Sequence, residues 1–308
     1  MPAYTTGAVE GSNAGSADAF IRAYHQDGDV RWTRQFGTAQ SDRASSIATD
    51  ANGNVYATGQ TLGAGSHPRR QCRQARRIHP RLRPRRQRPL DPPIGTTEFE
   101  RARSIATDAN GHVYLAGETS GALEGSNAGG SDAFIRAYDQ DGNHRWTRQF
   151  GTTESEFANG VATDANGHVY VAGHTLGALE GPNAGSADAF IRAYDQNGNH
   201  RWTRQFGTTA SDQARGVATD ANGHAYLVGY TRGALEGSNA GDYDAFLRTY
   251  DQDGNVRWTR QFGTTEREIA NDNATDANGH VYVAGETEGA LEGPNAGSSD
   301  GFHRAHGR

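Results

Sequence analysis

The sequence is dominated by a repeat of 56 residues. The string RWTRQFGT occurs four times, beginning at Arg31, Arg145, Arg201 and Arg257, and the last three copies are 56 residues apart. A period of this length is typical of architectures in which each unit buries its apolar faces only against its neighbours. Fold and function must therefore follow from the repeat and from the places where it is broken.

One repeat is interrupted by an aberrant segment at residues 65–94, which is rich in Arg and Pro. When residues 76–93 are back-translated and read one nucleotide later, codons can be chosen to give DAFIRAYDQDGNVRWTRQ, the sequence that the period requires. We infer a pair of compensating frameshifts. If they are real, we expect the middle of this repeat to be disordered and cut by proteases at its arginines.

The aberrant segment distorts the composition of the chain. Residues 69–88 hold ten of the 30 basic residues and no acidic residue, so the remainder is more acidic than the net charge of −6 indicates. Because this basic run results from the reading frame, we expect no nucleic-acid binding. The only cysteine, Cys72, lies in the same segment, which excludes a disulfide framework and a cysteine metal site.

The rest of the chain is polar and rich in glycine, with 41 Gly and no lysine. No apolar run approaches the roughly 18 residues of a membrane helix, so we expect no membrane insertion. The first residues lack a signal-peptide pattern. They already match the middle of a repeat, since residues 4–15 resemble residues 174–185. A lost preceding portion could have carried an export signal.

Each repeat predicts four short strands. In one copy they cover residues 158–163, 168–173, 188–194 and 200–206. Asn-Gly and Asp-Gly pairs between the strands supply the positive φ of tight hairpin turns. Both faces of the third strand are partly apolar, which indicates that each sheet is covered on both sides. The sequence therefore predicts an all-β protein, a β-propeller of four-stranded antiparallel blades, with residues 1–308 as one repeat domain.

Aromatic residues recur once per repeat in the fourth strand. We expect them to pack between neighbouring blades, because aromatic side chains dominate buried area wherever they recur. They form the structural signature of the repeat: Trp32, Trp146, Trp202, Trp258, Phe36, Phe150, Phe206 and Phe262.

These motifs resemble a known family. The order SIATDANGHVYLAGET at residues 104–119, followed by DAFIRAYDQDGNHRWTRQFGT at residues 132–152, is similar to the bacterial SBBP (seven-bladed β-propeller) repeat. The resemblance implies a propeller found mostly in secreted or cell-surface bacterial proteins, so it suggests an extracellular or cell-surface location. It implies no catalytic residue. The chain holds too few repeats for seven blades.

The number of blades allows two arrangements. Four blades are complete if the interrupted one is counted, and N-terminal third and fourth strands could join C-terminal first and second strands in a composite fifth blade. The ring would then close and remove exposed sheet edges. The alternative is an open propeller fragment. In the closed arrangement, residues 300–308 would be a surplus third strand. We expect a monomer.

Two recurring polar motifs could suggest metal sites. His112, His168, His224 and His280 occupy one position per repeat, but they begin the second strand, away from the propeller axis, so we assign them to turns. The tetrad that begins at Asp139 resembles the start of a calcium loop but lacks the later ligands. We therefore predict no metal site and no cofactor, with calcium as the remaining alternative.

Acidic residues mark the loops between the fourth strand and the next first strand. These loops vary most between repeats, and variable loops on one rim are where repeat proteins usually bind ligands. The candidate ligand-binding residues are Glu98, Glu100, Glu154, Glu156, Glu266 and Glu268.

No catalytic motif is visible. A catalytic site needs unlike residues in one pocket, yet the departures from the repeat are mild: Asn273, Tyr243, Tyr230 and Phe157. We therefore predict no enzyme but a binding or scaffold module with an unknown protein or glycan ligand. The alternatives are an enzyme that acts on a carbohydrate polymer through acidic loop residues, and a degenerate inactive fragment.

Overall fold

The fold is a series of antiparallel meanders. The computed structural model describes residues 4–9, 13–61, 76–78, 88–89, 95–291, 293–295 and 297–306. These residues form six sheets, which we call blades 1 to 6, and within each blade every strand pairs with the next along the chain. The four-stranded antiparallel blades confirm the predicted fold class. No helix in the described residues is long and apolar enough to cross a membrane.

The strands follow the 56-residue period. Blade 1 consists of β1 (Tyr4–Thr5), β2 (Asp18–Tyr24) and β3 (Val30–Phe36). Blade 2 consists of β4 (Asp42–Thr49), β5 (Val55–Thr61), β6 (Arg76–Ile78) and β7 (Arg88–Pro89). Blade 3 consists of β8 (Glu100–Thr107), β9 (Val113–Thr119), β10 (Asp132–Tyr138) and β11 (His144–Phe150). Blade 4 consists of β12 (Glu156–Thr163), β13 (Val169–Thr175), β14 (Asp188–Tyr194) and β15 (His200–Phe206). Blade 5 consists of β16 (Asp212–Thr219), β17 (Ala225–Thr231), β18 (Asp244–Tyr250) and β19 (Val256–Phe262). Blade 6 consists of β20 (Glu268–Thr275), β21 (Val281–Thr287) and β22 (Asp300–His306).

The terminal strands do not form a composite blade. In this structure β22 pairs with β21 in the place of a third strand, and β1 pairs with β2 in the place of a second strand. The sheets of β2–β3 and β20–β21 are therefore separate, as in the open arrangement. Residues 300–306 form the third strand of blade 6 and not a surplus strand beside a composite blade, because β21 pairs with β22 rather than with β2.

The first strands of blades 2 to 6, which we call the inner strands, lie side by side. The same hydrogen bond recurs between each pair of neighbouring inner strands. In it, the hydroxyl of the last Thr of one inner strand donates to the carbonyl of the last Thr in the preceding inner strand. Thr163 bonds in this way to Thr107 at 2.9 Å, and Thr219 bonds to Thr163 at 2.8 Å. This ladder aligns the inner strands and so sets the relative positions of their side chains.

The core lies between the faces of neighbouring blades. Trp202 lies between Tyr170 of its own blade and Tyr250 of the next, with ring centroids 6.0 and 6.1 Å away, and its indole N–H donates to the Gln252 carbonyl at 2.9 Å. The turns make room for this packing. Gly198 has φ +79°, and a Cβ there would lie 2.6 Å from a ring atom of Trp146. Hairpin glycines thus serve both turn geometry and inter-blade packing.

Blade 2 contains the aberrant segment. The predicted disorder of this segment falls on residues outside the described part, apart from β6 and β7. There Val55 pairs with Ile78, the third residue of β6, whereas Val169 in blade 4 pairs with Tyr194, the seventh residue of β14. Strand β6 is thus four residues out of the register of a complete blade. The reason is that Arg76–Ile78 does not carry the DAFIRAY sequence that sets the normal register.

Candidate functional site: the inner-strand cavity

Three positions in each repeat vary widely in chemical character between blades, and we call them the inner positions. They are the second and fourth residues of each inner strand and the sixth residue of the strand that follows it. The second residues are Arg43, Arg101, Phe157, Gln213 and Ile269. The fourth residues are Ser45, Arg103, Asn159, Arg215 and Asn271. The sixth residues of the following strands are Gln60, Glu118, His174, Tyr230 and Glu286. By contrast, the third residue of every inner strand is Ala and the last is Thr.

The structure brings these positions together around a cavity of about 780 Å³, which we call the inner-strand cavity. All of its lining residues occupy inner positions. They are Ser45, Arg101, Arg103, Phe157, Asn159, His174, Gln213, Arg215, Asn271 and Glu286. Its size falls within the range of roughly 300–1,000 Å³ that small-molecule sites occupy.

Two features of the backbone aim these side chains at the cavity. The second residue of each inner strand pairs directly with the sixth residue of the next strand, as Phe157 does with His174. A β-bulge then leaves the fourth residue, such as Asn159 between Ala158 and Gly160, without a cross-strand partner. Bulges redirect side chains and are common beside functional sites. The same bulge recurs in all five inner strands.

One side of the cavity carries an ion pair whose carboxylate is buried. The Arg103 guanidinium donates to both carboxylate oxygens of Glu118, at 2.5 and 2.9 Å, and the Glu118 side chain is only 2% exposed. Burial raises the pKa of Glu118, while the hydrogen bonds and charge of Arg103 act to lower it. This bidentate geometry fixes the orientation of the Arg103 guanidinium.

The centre of the cavity wall is an aromatic pair with an amide beside it. The rings of Phe157 and His174 stack with centroids 4.8 Å apart and an interplanar angle of 21°. Burial, with further contributions from Arg103 and Arg215, lowers the pKa of His174 to about 3, so the imidazole is neutral at neutral pH. Asn159 Nδ2 lies 3.2 Å from His174 Nδ1. Because the amide nitrogen donates, Nδ1 must accept, which places the imidazole hydrogen on Nε2.

The opposite side of the cavity is formed by Arg215. Its guanidinium donates to Asn271 Oδ1 of the next blade at 3.1 Å and lies 5.3 Å from the ring centroid of Tyr230. No carboxylate lies within ion-pair distance of Arg215 in the described parts of the chain. The Glu286 carboxylate lies 3.5 Å from Arg267. The cavity thus presents hydrogen-bond donors, amides and aromatic rings, a set suited to non-covalent recognition.

The six predicted acidic residues divide into two groups. Glu100, Glu156 and Glu268 are buried. The Glu156 carboxyl group accepts hydrogen bonds from the Thr152 amide at 2.7 Å, the Thr152 hydroxyl at 2.8 Å and the Thr175 hydroxyl at 2.6 Å. This arrangement ties the loop to the inner strand, and Asp212 holds Thr208 in the same way in blade 5. The other three lie on the loops: Glu154 and Glu266 are exposed, and Glu98 is half-buried.

The signature aromatic residues lie between blades. Trp146 and Trp202 are each 8% exposed, and Phe150 is 9% exposed. Phe150 meets Phe190 of the next blade edge-on, with centroids 5.8 Å apart, and Phe206 meets Phe246 in the same way at 5.7 Å. The remaining members of the signature, Trp32, Trp258, Phe36, Phe206 and Phe262, are half-buried.

The recurring histidines belong to the turns between first and second strands. His168 Nδ1 lies 2.8 Å from Asp164 Oδ2, and Tyr170 donates its hydroxyl to the same oxygen at 3.2 Å. The Asp139 tetrad is similarly closed on itself, since Asp139 Oδ1 accepts from the backbone amides of Asp141 and Asn143. In the described residues, no group of three or more His, Cys, Asp or Glu residues could hold a metal ion.

The sequence contained a signal for the cavity that the acidic loops obscured. Two of the four departures from the repeat, Phe157 and Tyr230, are inner positions, and Tyr243 contacts Tyr230 with centroids 4.9 Å apart. The fourth, Asn273, donates instead to the Tyr226 carbonyl of blade 5 at 3.0 Å. A comparison of the repeats position by position, within strands as well as loops, would have found the lining residues.

Three segments of the chain match a known repeat family. The model of the β-propeller repeat SBBP matches the chain at residues 31–65, 145–179 and 201–235. The chain contains SBBP repeats. This match confirms the family resemblance, and the four-stranded blades described above agree with it.

This chain matches only parts of two longer proteins in sequence, and it shares its fold with a solved structure. The regulatory protein FlaEY of Caulobacter vibrioides is 30% identical over 212 residues, 60% of this chain and 22% of that protein. An uncharacterized WD repeat-containing protein of Acanthamoeba polyphaga mimivirus is 22% identical over 223 residues, 55% of this chain and 16% of that protein. The crystal structure of a protein of unknown function from Bacteroides caccae has a TM-score of 0.50 and 12% identity, covering 86% of this chain and 78% of that one. The matched part of this chain thus spans less than a quarter of the length of FlaEY and of the mimivirus protein.

Proposed function

We propose that the chain is a non-catalytic binding module and that its ligand occupies the inner-strand cavity. One observation carries the proposal: every residue that lines the cavity occupies a position that differs between repeats. Positions that hold neighbouring blades together, such as the third-residue Ala and the final Thr of every inner strand, are the same in each repeat. A ligand, by contrast, presents different groups to different sides of its site, so a repeat protein must diverge where it binds one.

The location proposed for the module rests on family resemblance. SBBP repeats suggest a secreted or cell-surface bacterial protein, and we propose that location here. A protein or glycan would be the corresponding class of ligand. The exposed loop residues Glu154 and Glu266 would then contact the parts of a large ligand that extend beyond the cavity.

The alternative of a carbohydrate-acting enzyme has less support. It requires carboxyl groups that are available for acid–base chemistry. The carboxyl groups of Glu156 and Glu268 are instead buried and accept hydrogen bonds from loop and strand threonines. Glu118 is committed to Arg103.

Binding arrays can test the proposed function. The labelled chain would be applied to glycan and peptide arrays beside two double variants, Phe157→Ala/Gln213→Ala in the cavity and Glu154→Ala/Glu266→Ala on the loops. We expect ligands that the cavity variant loses and the loop variant keeps, with both variants folded by circular dichroism. Loss in the loop variant alone would contradict the proposal. Cleavage of an arrayed polymer that depends on Glu154 or Glu266 would favour the enzyme.

A further inference from the structure

The lining of the inner-strand cavity has the opposite charge from the chain. The chain carries a net charge of −6, yet the lining contains Arg101, Arg103 and Arg215 against Glu286 alone. The nearby Glu118 is held by Arg103. Positive charges outnumber negative charges in this concave lining, and such an excess attracts ligands of the opposite sign. The cavity therefore favours an anion.

The field is positive at the centre of the cavity wall. Arg103 of blade 3 lies with its guanidinium carbon 5.7 Å from the Phe157 ring centroid in blade 4. The charge of Arg215 in blade 5 and the charge of Arg103 both oppose protonation of the His174 imidazole, the second ring of this aromatic pair. Two guanidinium groups thus flank the Phe157–His174 pair. Of the two, Arg215 has no carboxylate partner among the described residues.

The polar groups around the aromatic pair both donate and accept hydrogen bonds. Ser45, Asn159, Gln213 and Asn271 carry hydroxyl or amide groups, which offer both kinds of partner. The Nε2–H of His174 adds a donor. Sugar hydroxyls likewise donate and accept, and the C–H groups of a sugar ring pack against aromatic side chains such as the Phe157–His174 pair. A carboxylate on that sugar would match the planar fork of Arg215.

We propose that the inner-strand cavity binds an acidic sugar, with a uronate carboxylate on Arg215 and the sugar ring against the Phe157–His174 pair. The inference rests on the proposed function, because it names the ligand class for the same cavity. The lining suits a saccharide better than a simple anion, since four neutral hydrogen-bonding side chains accompany the arginines.

Isothermal titration of the full chain with oligogalacturonate tests this proposal. The methyl-esterified oligomer is the matched ligand control, because it keeps the sugar and removes the charge. We expect the acid to bind and the ester to bind at least tenfold more weakly, with affinity for the acid falling as salt screens the charges. A sulfated oligosaccharide of similar length distinguishes carboxylate recognition from general attraction of anions.

Variants locate the carboxylate. We expect Arg215→Gln to weaken binding of the acid by about tenfold to a hundredfold, as for loss of a charged hydrogen bond, and to leave binding of the ester unchanged. Arg215→Lys should fall between the two, because it keeps the charge and loses the planar fork. Arg257→Gln, which removes an exposed charge from β19, should bind like the unaltered chain.

Three results would overturn the inference: equal binding of acid and ester, tighter binding of the sulfated oligosaccharide, or no binding of any of them. The array experiment with the cavity variant shows whether the ligand class alone is wrong or the proposed binding site is wrong as well. If array ligands of another class are lost in Phe157→Ala/Gln213→Ala, the cavity is still the binding site and only the ligand class is wrong. If array ligands are insensitive to that variant, the proposed function itself fails.

Discussion

At the scale of single residues, one acidic position plays the same part in every complete repeat. The first residue of each inner strand is Asp or Glu, and its carboxyl group is buried at the base of the preceding loop. By contrast, Glu154 and Glu266, each two positions before such a residue, are exposed. Sequence reasoning grouped the two kinds of position as one acidic loop, because spacing alone does not distinguish a buried carboxyl group from an exposed one.

Replacement of Glu156 should therefore destabilise the chain, and replacement of Glu154 should not. Glu156→Ala leaves the Thr152 amide and the Thr152 and Thr175 hydroxyls without their acceptor, which we expect to cost about 2 kcal/mol or more of unfolding free energy. Glu154→Ala should change it by less than about 0.5 kcal/mol. Urea titrations measure both. Equal effects of the two substitutions would contradict the structural role of Glu156.

His174 should make stability depend on pH. Its pKa in the folded chain is about 3, below the ordinary value of 6.5, so the unfolded chain binds more protons between these values. The unfolding free energy should therefore fall as the pH drops from about 6.5 towards 3. In His174→Gln this fall should be shallower. The remaining slope includes His144 and His200, whose pKa values burial also lowers.

The control for this experiment is His25→Gln, which alters an exposed side chain in a turn of blade 1 and should keep the slope of the unaltered chain. Urea titrations at several pH values from 7 to 4 give the slopes. If His174→Gln and the unaltered chain have the same slope, His174 is not buried in its neutral form.

At the scale of strands and blades, stability comes from the junctions. The alternation and turn residues of the repeat predict the third and fourth strands with the observed bounds, Asp188–Tyr194 and His200–Phe206, and the first and second strands to within two residues. What the sequence did not predict is the bulge in each inner strand, since no residue type marks it: the bulged residue is Ser, Arg or Asn. The cavity depends on that bulge, so its lining could not be read from strand periodicity.

The junctions predict a graded cost for loss of tryptophan. Trp202 is 8% exposed, because Tyr250 and the Gln252 carbonyl of the next blade contact it. Trp258 is half-buried, because the described residues of blade 6 end at residue 306, before a counterpart of the turn that contains Gln252. We expect Trp202→Ala to cost about 3–5 kcal/mol of unfolding free energy, and Trp258→Ala clearly less. Urea titration followed by circular dichroism compares them. An equal or larger cost at Trp258 would show that a further surface covers that ring.

At the scale of the whole molecule, equivalent residues differ in burial according to their place in the series. Tyr170 of β13 is fully buried, whereas Tyr282, its equivalent in β21, is 44% exposed. Tyr194 of β14 is 1% exposed, and Tyr24, its equivalent in β2, is 58% exposed. The repeat predicts the order of the blades along the chain. It does not predict whether the end blades cover each other, because the closed ring and the open fragment contain the same residues. In this structure the end faces are open.

Amide hydrogen exchange, followed strand by strand, tests the central claim that the chain is a series of blades held by their neighbours. Protection should be highest in β13, β14, β17 and β18, which are covered on both faces, and should decline towards β2 and β3 at one end and β21 and β22 at the other. Protection of the end strands equal to that of β13 and β14 would contradict the account, since it would require blades 1 and 6 to cover each other.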